Sequence, residues 1–145
     1  KTEGRTRYLG ITHYSTSAYA EIEEILRHEP LDFLQINYSL AEQESARRLL
    51  PLAAERGVAV IANRPFAEGA LFGAVKGKVL PTAAADHGCR SWAQLFLRWI
   101  LAHPAVTCAI PASKRIDHLE DNMAAGVSPL PAFDEQKALA RMAGF

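Results

Sequence analysis

Apolar and polar positions along this chain follow two periods that take turns. Residues 8–12 (YLGIT), 33–37 (FLQIN), 58–63 (VAVIAN) and 106–110 (VTCAI) are short apolar runs of the kind that form β-strands. Between them, apolar residues recur at three- and four-residue intervals, which predicts helices. Residues 17–28 place Ile22, Ile25 and Leu26 on one face, and Pro30 closes that helix. Residues 42–56 do the same with Ala46, Leu49, Leu50 and Ala53; Gly57 suits the position after the helix end, and Pro51 is expected to kink the helix or begin a new turn. Residues 91–102 (SWAQLFLRWILA) predict a strongly apolar helix capped by Ser91 and ended by Pro104. Further helices are predicted over 117–125 and over 134–143, the latter with Asp134 as cap. The Gly- and Ala-rich span 64–90 is expected to be irregular.

Strands alternating with helices imply a parallel sheet with helical crossovers. The third run is almost wholly apolar, as expected of a strand buried on both faces. A (β/α)8 barrel takes about 250 residues and eight such units. Only four are present, so the pattern fits half a barrel or a small open α/β sheet. Neither GxGxxG nor GxxxxGK[ST] occurs, which leaves a Rossmann-type dinucleotide domain or a P-loop unsupported.

Composition narrows the class further. The 145 residues are 49% hydrophobic, with 16 Lys and Arg against 16 Asp and Glu. This balance argues against a nucleic-acid partner, since no excess cation exists to neutralise phosphates. No apolar run reaches the length of a membrane span, so no membrane is expected either. The histidines at 13, 28, 87, 103 and 118 lack metal-ligand spacing, and no metal is expected. Cys89 and Cys108 form no CxxC pair, and two reduced thiols are expected ahead of a disulfide.

The candidate chemistry lies at the C-terminal ends of the strands, where βα folds build their sites. The first strand ends in Thr12-His13, the second carries Gln35 and Asn37 on one face, the third ends in Asn63-Arg64, and Ser113-Lys114-Arg115 follow the fourth. The last group directly precedes a helix, where free backbone N–H groups and the helix dipole favour an anion. A phosphate site is therefore expected there, with Glu120, Asp121 and Asn122 one to two turns on. A buried amide at Gln35 or Asn37 needs partners, which a cofactor carboxamide or a neighbouring side chain could supply. His13 reads as a contact residue, since no nucleophile or paired carboxylate is identifiable beside it.

At these positions the sequence resembles the aldo-keto reductase superfamily. RYLGITHYS, LDFLQINYSL, RLLPLAAERGVAVIANRPFAEGALF and HPAVTCAIPASKRIDHLEDNMAA resemble, in order, the family's fifth to eighth βα units. The combination GITHY, LQINYS, NRPF and SWAQ looks closest to a bacterial subgroup, some of whose members carry a twin-arginine export signal. The resemblance implies the C-terminal half of a (β/α)8 TIM barrel, with residues 1–145 forming a partial reductase domain that lacks the N-terminal half. It implies NADP(H) as cofactor and a small-molecule carbonyl substrate reduced by hydride transfer. Carried over by position, Thr12, His13 and Gln35 would hold the carboxamide, and Asn63 would lie at the nicotinamide. Arg64, Pro65 and Phe66 would begin the pyrophosphate loop. Ser113, Lys114 and His118 would meet the ribose phosphate, and Asp121 and Asn122 the adenine.

Three departures stand out. Thr12-His13 replaces a Ser-Asn pair, Asn63 replaces an aromatic ring that stacks on the nicotinamide, and His118 replaces a common Arg. The last weakens the expected preference for NADP over NAD. No residue matches the family's Asp, Tyr, Lys and His tetrad, so no catalytic residue is assigned and the chain alone is expected to be inactive. A half-barrel is further expected to self-associate or to pair with its missing half. The expected compartment is the cytoplasm, or the periplasm if an export signal lies upstream. Two other readings stay open: a non-catalytic half-barrel binding a nucleotide or a protein partner, and another (β/α) protein with a phosphate site.

Overall fold

The computed structural model describes residues 1–127 and 129–145. Four strands, β1 (Gly10–Thr12), β2 (Phe33–Asn37), β3 (Ala59–Asn63) and β4 (Val106–Ala109), form one sheet in the order β1-β2-β3-β4. Every adjacent pair is parallel. Six helices accompany them: α1 (Tyr19–His28), α2 (Ser45–Glu55), α3 (Ala70–Ala74), α4 (Trp92–Leu101), α5 (Ile116–Ala124) and α6 (Gln136–Ala143). The expected architecture of parallel strands alternating with helices is thus the observed one.

The local signals act where the residues predict. Gly57 follows α2 at φ 67°, a conformation that costs glycine little. Ser91 caps α4, its hydroxyl accepting from the Gln94 N–H at 3.1 Å. Gly10 is required by close packing, since a Cβ there would sit 2.7 Å from the Phe33 carbonyl oxygen.

Other expectations need correction. The first strand is shorter than residues 8–12, because the Leu9 N–H donates to the Asp32 carboxylate at 2.8 Å instead of joining the ladder. Pro51 starts no new helix: α2 is continuous through it, with Pro51 on the exposed face. The span 64–90 is not wholly irregular, for it contains α3 and two short 3-10 turns. The last helix is entered through a turn at Phe133–Glu135, where the Glu135 carboxylate accepts from the Ala132 N–H, so Asp134 is not its cap.

The two faces of the sheet differ. Leu34, Ile36, Val60 and Ala62 are wholly buried beneath the helices, in a core with Leu26, Leu50, Leu95, Phe96, Ile100 and Leu139. On the opposite face Phe33, Gln35, Ala59 and Ile61 are only half-buried. The third strand therefore buries one face, not two. The chain exposes 8745 Å², against about 7,400 Å² for a compact monomer of its mass.

Candidate functional site

Parallel pairing brings the C-terminal ends of all four strands to one rim. Thr12 lies beside Gln35, and Asn37 beside Asn63. Both ends of the Asn37 amide are engaged: its oxygen accepts from the Tyr19 hydroxyl at 2.7 Å and its nitrogen donates to Glu42 at 3.3 Å. Neighbouring side chains thus satisfy Asn37. Gln35 differs, since its side-chain amide makes no hydrogen bond among the described residues and faces the half-open side of the sheet. The Asn63 Nδ2 donates to the His13 carbonyl at 3.1 Å, which fixes the amide orientation and leaves its Oδ1 buried without a partner. His13 is held by its own loop, its Nδ1 accepting from the Ser15 N–H at 2.9 Å.

Arg64 begins the loop after β3. Its guanidinium lies 5.7 Å from the centre of the Tyr14 ring and 3.6 Å from both Glu42 and Glu68. Those ion pairs are too long for hydrogen bonds, and Arg64 Nε and Glu42 Oε2 are both buried without partners. Among the described residues, the non-glycine residues with positive φ are Arg64 (50°), Ala67 (46°) and Glu68 (54°). Each such conformation costs on the order of 1–3 kcal/mol, and strain concentrated in one loop is a mark of a functional segment. Pro65 fixes the backbone between them.

Beyond this loop lies a cavity of about 560 Å³ that gathers Phe66, Ser113, Lys114, His118, Asp121 and Asn122. Glu120 is exposed and does not line it. The N-cap of α5, Arg115, makes no side-chain capping bond, and that helix end opens beside the cavity. Arg115 is committed to Asp117 at 2.9 and 2.6 Å, and this pair holds the Asp117 carboxyl below its usual range. Lys114 and His118 have no ion-pair partner among the described residues, and Lys114 supplies an available positive charge. The Ser113 hydroxyl folds onto Arg115, donating to its carbonyl at 2.9 Å. Asp121 is spent structurally: its oxygens accept from Ser91 Oγ and Gln94 Nε2, each at 2.6 Å, joining α5 to the start of α4.

The candidate residues therefore form two groups, one at the ends of β1–β3 and one around the cavity after β4. Sequence reasoning missed Glu42, whose contacts with Asn37 and Arg64 cross chain segments with no shared motif. It also missed Phe72 and Trp92, which line the cavity. Burial raises the half-buried Tyr19, and it pushes the buried Tyr38 up to about 12. Both cysteines are free. No described helix is long and apolar enough to cross a membrane.

The sequence that builds these βα units and the cavity after β4 matches a known family model. The model of the aldo/keto reductase family matches residues 1–138, and the chain belongs to that family. A protein of Schizosaccharomyces pombe described as an uncharacterized oxidoreductase is 31% identical over 88% of this chain and 40% of its own length. The aldo/keto reductase of Klebsiella pneumoniae solved with NADP and acetate is 27% identical, with a TM-score of 0.74 over 98% of this chain and 50% of that one. The holo form of an aldo-keto reductase from Bacillus halodurans shares the fold, with a TM-score of 0.75 at 24% identity over 97% of this chain and 51% of that one. The chain thus spans about half the length of these relatives, and its four strands correspond to half of their (β/α)8 barrel.

Proposed function

We propose that the chain is the cofactor-holding half of an NADP(H)-dependent carbonyl reductase. The observation that carries this reading is the cavity after β4, where Lys114 and His118 stand uncommitted beside the open N-terminus of α5. A ribose phosphate fits that chemistry: it needs cationic and N–H donors, and both are present. The other rim group fits the opposite end of the same cofactor. Gln35 has an unused amide and Asn63 an unused buried oxygen, which complement a carboxamide's donor and acceptor. The strained loop from Arg64 to Glu68 lies in the chain between the two groups and suits a pyrophosphate.

When bound, the reduced nicotinamide supplies a hydride. This chain's contribution is to bind and orient: Lys114, His118 and Ser113 hold the phosphate end, while Thr12, His13, Gln35 and Asn63 position the carboxamide. We assign no residue of this chain as the proton donor to the developing alkoxide. Small aldehydes or ketones are the proposed substrates. The half-buried inner sheet face supports self-association, or pairing with a complementary half-barrel.

Calorimetry tests the assignment. Lys114→Ala should weaken binding of 2′-phospho-ADP-ribose by about 1–3 kcal/mol. Equal binding by the variant would remove Lys114 from the site. NADPH oxidation with a panel of aldehydes should show no enzymatic turnover by the chain alone.

A further inference from the structure

Three aromatic rings, Phe66, Phe72 and Trp92, line the same cavity as Lys114 and His118. Trp92 is the first residue of α4, and its indole N–H donates to the Lys78 carbonyl at 3.2 Å. That bond fixes the polar edge of the ring. Phe96 stacks on Trp92 with centroids 6.0 Å apart and planes 25° apart. Phe96 is wholly buried and is not part of the cavity wall, so it backs Trp92 on one face and leaves the rest of the ring toward the cavity. Phe72 packs at 4.9 Å against Phe66 and 5.6 Å against Phe96, yet remains 40% exposed.

A braced aromatic surface beside the uncommitted Lys114 suits a ligand with a flat ring at one end and an anion at the other. The volume, about 560 Å³, is that of a small-ligand site. We infer that Trp92, supported by Phe72, is the stacking surface for a planar heteroaromatic base. The cavity then selects a base-bearing phosphate over a bare phosphate or a sugar phosphate. This rests on the nucleotide reading above and adds a residue that decides ligand class. Each Asp121 oxygen already accepts a hydrogen bond from the start of α4, so stacking, with Asn122, is the main means of recognition.

The chain has two tryptophans, and the other, Trp99, is buried against Tyr38. A Trp99→Phe chain therefore isolates Trp92 as a fluorescent reporter. Adenosine 2′,5′-bisphosphate should quench it saturably, with the same Kd that calorimetry gives, whereas pyrophosphate and ribose 5-phosphate should not quench it. In the otherwise native chain, Trp92→Leu should weaken adenosine 2′,5′-bisphosphate about tenfold while leaving pyrophosphate binding unchanged. Calorimetric binding with unaltered fluorescence, and equal affinity in Trp92→Leu, overturns the stacking role but spares the cofactor reading. No heat of binding with the native chain overturns both.

Discussion

The two faces of the sheet, built from the same short strands, are covered very differently. On the helix side, Leu34, Ile36, Val60 and Ala62 have no exposed surface. On the inner side, one residue along, stand Gln35 and Ile61, half-buried. Because strand side chains alternate, adjacent positions face the packed core and the half-open side in turn. The helix side belongs to this chain alone. The inner side leaves apolar surface such as Phe33 and Ile61 partly open.

Substitution on each face should bring out the contrast. Leu34→Ala should cost about 2–5 kcal/mol, the range for deleting a fully buried leucine, as read from urea unfolding. Ile61→Ala, on the inner face, should cost roughly half of that or less, since its surroundings are already partly solvent. Equal losses at the two positions would show that the inner face is covered in solution, and sedimentation of the native chain would then reveal an assembly. Gln35→Leu should change stability by less than about 0.5 kcal/mol, because no hydrogen bond of its amide is lost.

The smallest effect concerns pH. His103 lies in the covered layer between Tyr38 and Phe133, at 5.4 and 5.1 Å, and burial lowers its pKa from 6.5. The neutral ring is favoured in the folded state, so the unfolded chain takes up the proton first as pH falls. Stability is therefore complete above about pH 6.5 and declines below it. A His103→Gln chain should show a flatter urea midpoint between pH 7.5 and 5. An unchanged slope would mean that His103 is solvated.

Much of this was legible in the sequence, for identifiable reasons. The strand runs and helical faces were plain because apolar periodicity and caps such as Ser91 and Gly57 act locally. The rim residues were legible because parallel topology sends every strand end to one side. The helix α3 was hidden in a span without clear period, and it needs the aromatic cluster of Phe66, Phe72 and Phe96 to hold it. The double burial expected of residues 58–63 failed because an apolar run does not say how many layers will cover it. The engagement of Asp121 by Ser91 and Gln94 joins residues about thirty apart, and no motif spacing reveals such a contact.

That last contact has a kinetic meaning. Ser91 and Gln94 stand at the beginning of α4, Asp121 stands on α5, and two short hydrogen bonds bolt these walls of the cavity together. The walls cannot part without breaking both bonds. A ligand of that cavity would then meet a preformed slot, and its arrival would be an encounter followed by docking, without an opening of those helices ahead of it. Residence time, set by what the slot holds on to, becomes the quantity that further substitutions around it can tune.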